Sequence, residues 1–300
     1  MEQSSFIHGG IYEMNRITKD NTSTFYKDMI RLALPIVMQN LITTAVSSAD
    51  VVMLGFVSQT ALAAGSLASQ IMFILNLVYT GISSGIIMLA AQYWGKKDTR
   101  TIEKIMGIGM RLSILISLLF FILALFSPSL LMHIFTNDSS LFGPGETYLR
   151  IVSFSYLFMS ISQVYLCTMR TIERVIFATV VNGTALVLNI VLNAVFIFGL
   201  FGLPKMGIAG VALATTIARF VELSLCIMDT LRFKTLRFRP ITIFQHHRLL
   251  FADFIRYSLP AFGNEVAWGV DFSTYSVTMG PLGSDMEAAN AEVVLARYLG

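Results

Sequence analysis

Three hundred residues, 55% of them hydrophobic and 13% charged, with a mean hydropathy of +0.70, exclude an ordinary soluble domain, which carries about 25% charge. A net charge of +3 is too small to argue for nucleic acid as a partner. The composition is that of an all-α membrane protein.

In chain order, residues 1–29 are polar and show no cleavable signal peptide. Seven apolar runs follow, at 30–54, 62–92, 105–127, 147–168, 175–201, 207–229 and 255–280. A hydrocarbon core of about 30 Å needs about 20 residues per helix, so each run is long enough to cross. Lipid offers no partner to free backbone groups, so these runs are predicted helices. No alternating strand pattern of the barrel kind is present. The predicted organisation is a cytoplasmic N-terminal segment (1–29), a six-helix transmembrane lobe (30–231), a basic inter-lobe linker (232–254) and the first helix of a truncated second lobe (255–300).

The second lobe is inferred from an internal repeat. Asp28, Ile30, Arg31, Leu34, Pro35, Ser48, Val52, Gly55, Ala63 and Ala64 recur 225 residues later as Asp253, Ile255, Arg256, Leu259, Pro260, Ser273, Val277, Gly280, Ala288 and Ala289. Repeated multi-helix units are how many secondary transporters are built, with the substrate path between the copies.

Charge sets the orientation. Seventeen Lys and Arg fall in the N-terminal segment and in the second-to-third, fourth-to-fifth and sixth-to-seventh connections, against Arg150 and Lys205 on the other side. By the positive-inside rule the N-terminus is cytoplasmic, in a plasma-membrane protein. The stretch 232–250 is either a polybasic strip on anionic lipid or a solvated linker, and the linker is favoured. Cys167 and Cys226 stand alone in apolar runs and read as small buried hydrophobes.

Ionisable groups at membrane depth are costly and mark pathways. Asp50 is the clearest, about 7 Å below the outer end of the first span at 1.5 Å per residue. Asn40, Thr43, Ser47 and Asp50 share an arc of about 80° on that helix, and Asn182, Asn189 and Asn193 share about 40° on the fifth. Asn193 lies about 10 Å before Leu200, and Thr215 about 12 Å beyond Gly207 on the returning sixth span. A carboxylate, amides and a hydroxyl at one depth can ligate a hard cation or share a proton; interhelical hydrogen bonding is the structural alternative for the asparagines. Glu265 and Asp271 are acids in the seventh span. Pro35 and Pro260 occupy equivalent places near the starts of their helices, as hinges or as ordinary first-turn prolines.

Gly81-Ile-Ser-Ser-Gly85 matches a nucleophile-elbow pattern, but inside an apolar helix it reads as a small-residue stripe for close helix approach. No metal-binding, nucleotide or catalytic motif occurs, so neither an enzyme nor an organic cofactor is expected.

The stretches LPIVMQN (34–40), SADVVMLG (48–55), ALAAGS (61–66), AAQYWGKKD (90–98), LNIVLNAVFIFG (188–199) and MGIAGVALATTIAR (206–219) resemble the multidrug and toxic compound extrusion (MATE) family. The resemblance implies two six-helix lobes that expel amphipathic or cationic small molecules in exchange for H⁺ or Na⁺. It further implies that Asp50, Asn189 and Thr215 form a cation site. Asn193 stands where the family pattern has a second acid, which weighs against Na⁺ and leaves a proton on Asp50 workable. Glu265 resembles the seventh-helix acid of other branches. Because family members have twelve spans, the chain is expected to be a fragment or a truncated product, or to self-associate. Competing readings are a transport-incompetent remnant and a flippase for lipid-linked sugars, whose usual cavity charges this lobe almost lacks.

Overall fold

In the computed structural model of the protein, residues 37, 53–55, 57–136, 138–202, 204–232 and 247–279 are described. They form helices α1 (Gln59–Gly95), α2 (Thr99–Phe126), α3 (Pro128–Phe135), α4 (Ser139–Thr171), α5 (Val175–Phe198), α6 (Gly207–Arg232) and α7 (Arg248–Met279), with a 3₁₀ turn at Leu200–Gly202. No strand occurs among the described residues. Five helices, α1, α2, α4, α5 and α6, are long and apolar enough to cross a membrane. They coincide with the second to sixth predicted spans, and α7 covers the seventh. The first predicted span lies almost wholly outside the described residues.

The helix ends follow from local chemistry. Ser58 caps α1 by accepting from the Ala61 amide at 3.0 Å. The three-residue turn to α2 needs Lys97 at φ 58°. Asp98 then caps α2, accepting from the Thr101 amide at 3.1 Å and its hydroxyl at 2.6 Å. These bonds hold the Asp98 carboxyl below its ordinary range. Gly199, at φ 69°, ends α5 in the left-handed conformation. Hydropathy missed α3, which opens with Pro128 at its first position and is only eight residues long. Helix α7 starts at Arg248 rather than near 255, because Leu250 and Phe251 extend its apolar face onto the bundle.

Helix α4 is the centre of the bundle. Two-thirds of its apolar window is buried, 67% against 33–39% for the other four spans. It packs on α1, α2 and α6. The buried side chains fall into two layers. One, with Ile86, Ile105, Met106, Leu166, Met169 and Phe254, lies toward the basic turns 96–98 and 172–174. The other, with Leu75, Met132, Leu149, Tyr156, Met159 and Val211, lies toward the opposite end. Outside, Leu115, Leu119, Ile122, Val180, Val187 and Val191 are exposed, an apolar exterior that suits lipid.

Helix α7 lies along α1, with a smaller contact on α2, and among the described residues it touches neither α5 nor α6. The contact is made at the small-residue stripe. A Cβ on Gly81 would meet Phe262 Cβ at 2.7 Å, and one on Gly85 would overlap the Ser258 hydroxyl. Gly81 and Gly85 are therefore the surface into which α7 fits, as the spacing predicts.

Candidate functional site

Helices α5 and α6 bring three of the predicted residues together. Asn193 Nδ2 donates to Asn189 Oδ1 at 3.4 Å, and Asn189 Nδ2 donates to Thr215 Oγ1 at 3.2 Å. Thr215 Oγ1 donates in turn to the Val211 carbonyl at 3.1 Å. Both asparagines are buried. The i, i+4 spacing of the asparagines puts them on one face of α5, and α6 returns antiparallel with Thr215 at matching height. Among the described residues, this ladder consists of neutral donors and acceptors. A cation held here needs negative charge from outside it.

Asp50, the carboxylate expected to supply that charge, lies outside the described residues, as do Asn40, Ser47 and Pro35. Asn182 is buried on α5, but seven residues from Asn189, a rise of about 10 Å. Glu265 is half-buried. It shares the α7 face of Ser258 and Phe262, which pack on α1, so it joins a different contact from the asparagine ladder. Pro260 lies inside α7 and the helix continues through it. For Asp271 only the helical backbone is described.

The sequence reading missed two ionic clusters on α6. In the first, Arg219 Nη1 contacts Glu222 Oε2 at 2.6 Å, and Ser162 Oγ of α4 donates to Glu222 Oε1, also at 2.6 Å. The Glu222 side chain is 0% exposed and that of Arg219 24%. In the second, at the basic end, Arg174 makes a bidentate pair with Asp229, Nη1 to Oδ2 at 2.7 Å and Nη2 to Oδ1 at 2.9 Å. Tyr165 donates to the same carboxylate at 2.7 Å, and Arg174 lies over the Phe177 ring at 4.9 Å. The bonds to Asp229 push the Arg174 guanidinium further up from an already high value, so it stays charged. Charged side chains are therefore present on α6, a helix long and apolar enough to cross a membrane. The signal was legible: an acid and a base three residues apart inside an apolar run.

A third polar contact ties α1 to the centre. Tyr79 Oη is 2.6 Å from Ser117 Oγ of α2 and donates to the Tyr156 carbonyl of α4 at 3.1 Å.

Comparison with known proteins follows the same lines. The chain is 27% identical over 208 residues to the probable multidrug resistance protein NorM of Thermotoga maritima, covering 69% of this chain and 45% of that protein. It is 28% identical over 221 residues to the multidrug resistance protein NorM of Vibrio parahaemolyticus, covering 73% and 48%. It thus spans about half the length of the curated relatives it matches. Among solved structures, its fold is similar to a MOP superfamily transporter from Pyrococcus furiosus (TM-score 0.76, 18% identity, 90% of this chain and 59% of that one). It is also similar to a multidrug resistance MATE family transporter in an outward-facing conformation (TM-score 0.73, 19% identity, 84% and 56%). The MatE family model matches residues 35–195, more than half of the chain. On that match the chain belongs to the MATE family of transporters.

Proposed function

We propose that the protein works in cation-coupled efflux, exporting amphipathic or cationic compounds across the plasma membrane in exchange for H⁺ or Na⁺, with its N-terminus in the cytoplasm. The observation that carries this reading is the buried ladder Asn193–Asn189–Thr215. It joins two antiparallel helices at membrane depth in groups that can hold a cation or a proton once a carboxylate faces them. Asp50 is the residue assigned to supply the charge, and the amide at Asn193 in place of an acid favours H⁺ over Na⁺. Its protonation would bend or repack the first span and release the exported compound. One charge moving down 100 mV yields about 2.3 kcal/mol, enough for a gradient of about fortyfold.

The test is efflux of ethidium from intact cells expressing the protein. Asp50→Asn is expected to abolish efflux at unchanged expression, and Asn189→Ala to weaken it. Efflux that survives Asp50→Asn undiminished removes the assigned role.

A further inference from the structure

Thr215, Arg219, Glu222 and Asp229 fall within about 80° of one another around α6, and span about 21 Å of its length. They belong to three separate polar contacts with neighbouring elements. Thr215 meets Asn189 of α5, Glu222 meets Ser162 of α4, and Asp229 meets Tyr165 of α4 and Arg174 of the α4–α5 connection. The three contacts stand about 10 Å apart on one lane of α6, between the asparagine ladder and the basic end of the bundle.

We propose that the Glu222 carboxylate, held between Arg219 and Ser162, is a proton-exchange station on this lane. The step transfers a proton from hydronium, arriving on the partly accessible Arg219 side, to Glu222 Oε2 as the Arg219 guanidinium withdraws from it. One O–H bond of hydronium breaks, one O–H bond forms on the carboxylate, an ion pair opens, and no electrons change hands. Return of the proton to water on the same side lets Arg219 come back. Proton and guanidinium thus compete for one oxygen.

The site lends itself to that exchange. Glu222 is fully buried, whereas Arg219 is partly accessible, so the base has room to move while the acid does not. Among the described residues, the titratable and charged groups near Glu222 include Arg219, Cys226 and Asp229 on α6 itself, Tyr165 on α4, Arg174 on the connection and Tyr79 on α1. Helix α5 brings no ionisable side chain, and α2 does not touch α6. A structural staple does not require the charges. A buried ion pair is often no more stabilising than a packed apolar pair.

The consequence for coupling rests on the antiport reading. Thr215 is one helical turn, about 6 Å, from Arg219. Protonating Glu222 leaves the guanidinium unbalanced and raises the positive potential at the ladder, which disfavours a cation held there.

The experiment is pH-difference infrared spectroscopy of the protein in lipid nanodiscs, alongside proton-driven dye exchange in liposomes. Acidification is expected to produce a protonated-carboxyl C=O band, and Glu222→Gln to remove it. Arg219→Lys, which keeps the charge but loses the fork, is expected to keep the band and move its midpoint, which guards against a Glu222→Gln protein that does not fold. A band unchanged by both substitutions overturns the station. If exchange is driven by protons in the natural protein and by the same amount in Glu222→Gln, the station falls and the antiport reading stands. If the Glu222 band is present but no ion gradient drives exchange, the antiport reading falls and the proton site stands.

Discussion

Helix α7 and helix α6 are each held to a long central helix, by opposite means. The α1–α7 contact is made by absence: Gly81 and Gly85 lack the Cβ atoms that would strike Phe262 and Ser258. The α4–α6 contact is made by presence: Ser162 to Glu222, Tyr165 to Asp229 and Thr216 to the Ile151 carbonyl. In lipid, apolar surface gives no hydrophobic drive between helices, so association relies on close van der Waals approach or on hydrogen bonds. A glycine surface is smooth and fixes distance more than register. A column of directional polar bonds fixes register, since sliding α6 by one residue would break all of them. The two regions suit different tasks: a contact that can pivot, and a frame that holds the site-bearing helix in place.

That contrast can be broken by measurement, starting with its largest expected effect. Glu222→Ala strands the Arg219 guanidinium and should lower stability by about 3–5 kcal/mol, as breaking a buried pair does. Chemical unfolding in mixed micelles reads it, and a loss no larger than that of a surface substitution would mean the pair does not frame α6. Gly85→Leu pushes a side chain into Ser258 and the Phe254 backbone; overpacking of this kind costs about 1–3 kcal/mol. Its distinctive sign is local: cysteine cross-linking between α1 and α7 should fall while cross-linking between α4 and α6 is unchanged. Equal loss at both contacts would abolish the distinction between pivot and frame. Thr216→Val, which removes a hydroxyl proton shared between the Ile151 carbonyl at 3.0 Å and the Ala212 carbonyl at 2.8 Å, should cost no more than about 0.6 kcal/mol, the average for interhelical bonds within membranes. A much larger loss would place the register lock at Thr216 instead of at the ionic clusters.

Much of this arrangement was legible in advance. Five of the spans were, the second to the sixth, because unbroken apolar runs of the required length have few other uses. The small-residue stripe at Gly81 and Gly85 was, and so was the shared face of Asn189 and Asn193, since helical periodicity alone places residues on a face. Helix α3 was not, because eight residues between two spans carry no periodic signal strong enough to separate helix from loop. Arg219, Glu222 and Asp229 were overlooked for another reason. Positive charges were weighed by which connection they belonged to, and that count passes over ions inside a span. Glu265 shows the converse limit. Its depth was readable, but the α7 face that carries it packs on α1, away from the ladder to which depth alone could have assigned it.

By itself the sequence determined which segments are long and apolar enough to cross the membrane and which faces of those helices are polar, and its motifs carried the family resemblance. The first two follow from hydrophobicity and from the angular period of a helix, both of which are local. Only the tertiary structure decided which polar face meets which: the asparagines with Thr215, Glu222 with Ser162, Asp229 with Arg174 and Tyr165, and the glycines with α7. Those pairings depend on the rotation and height of each helix against its neighbours. Packing of whole side-chain surfaces sets both, and no single segment contains that information.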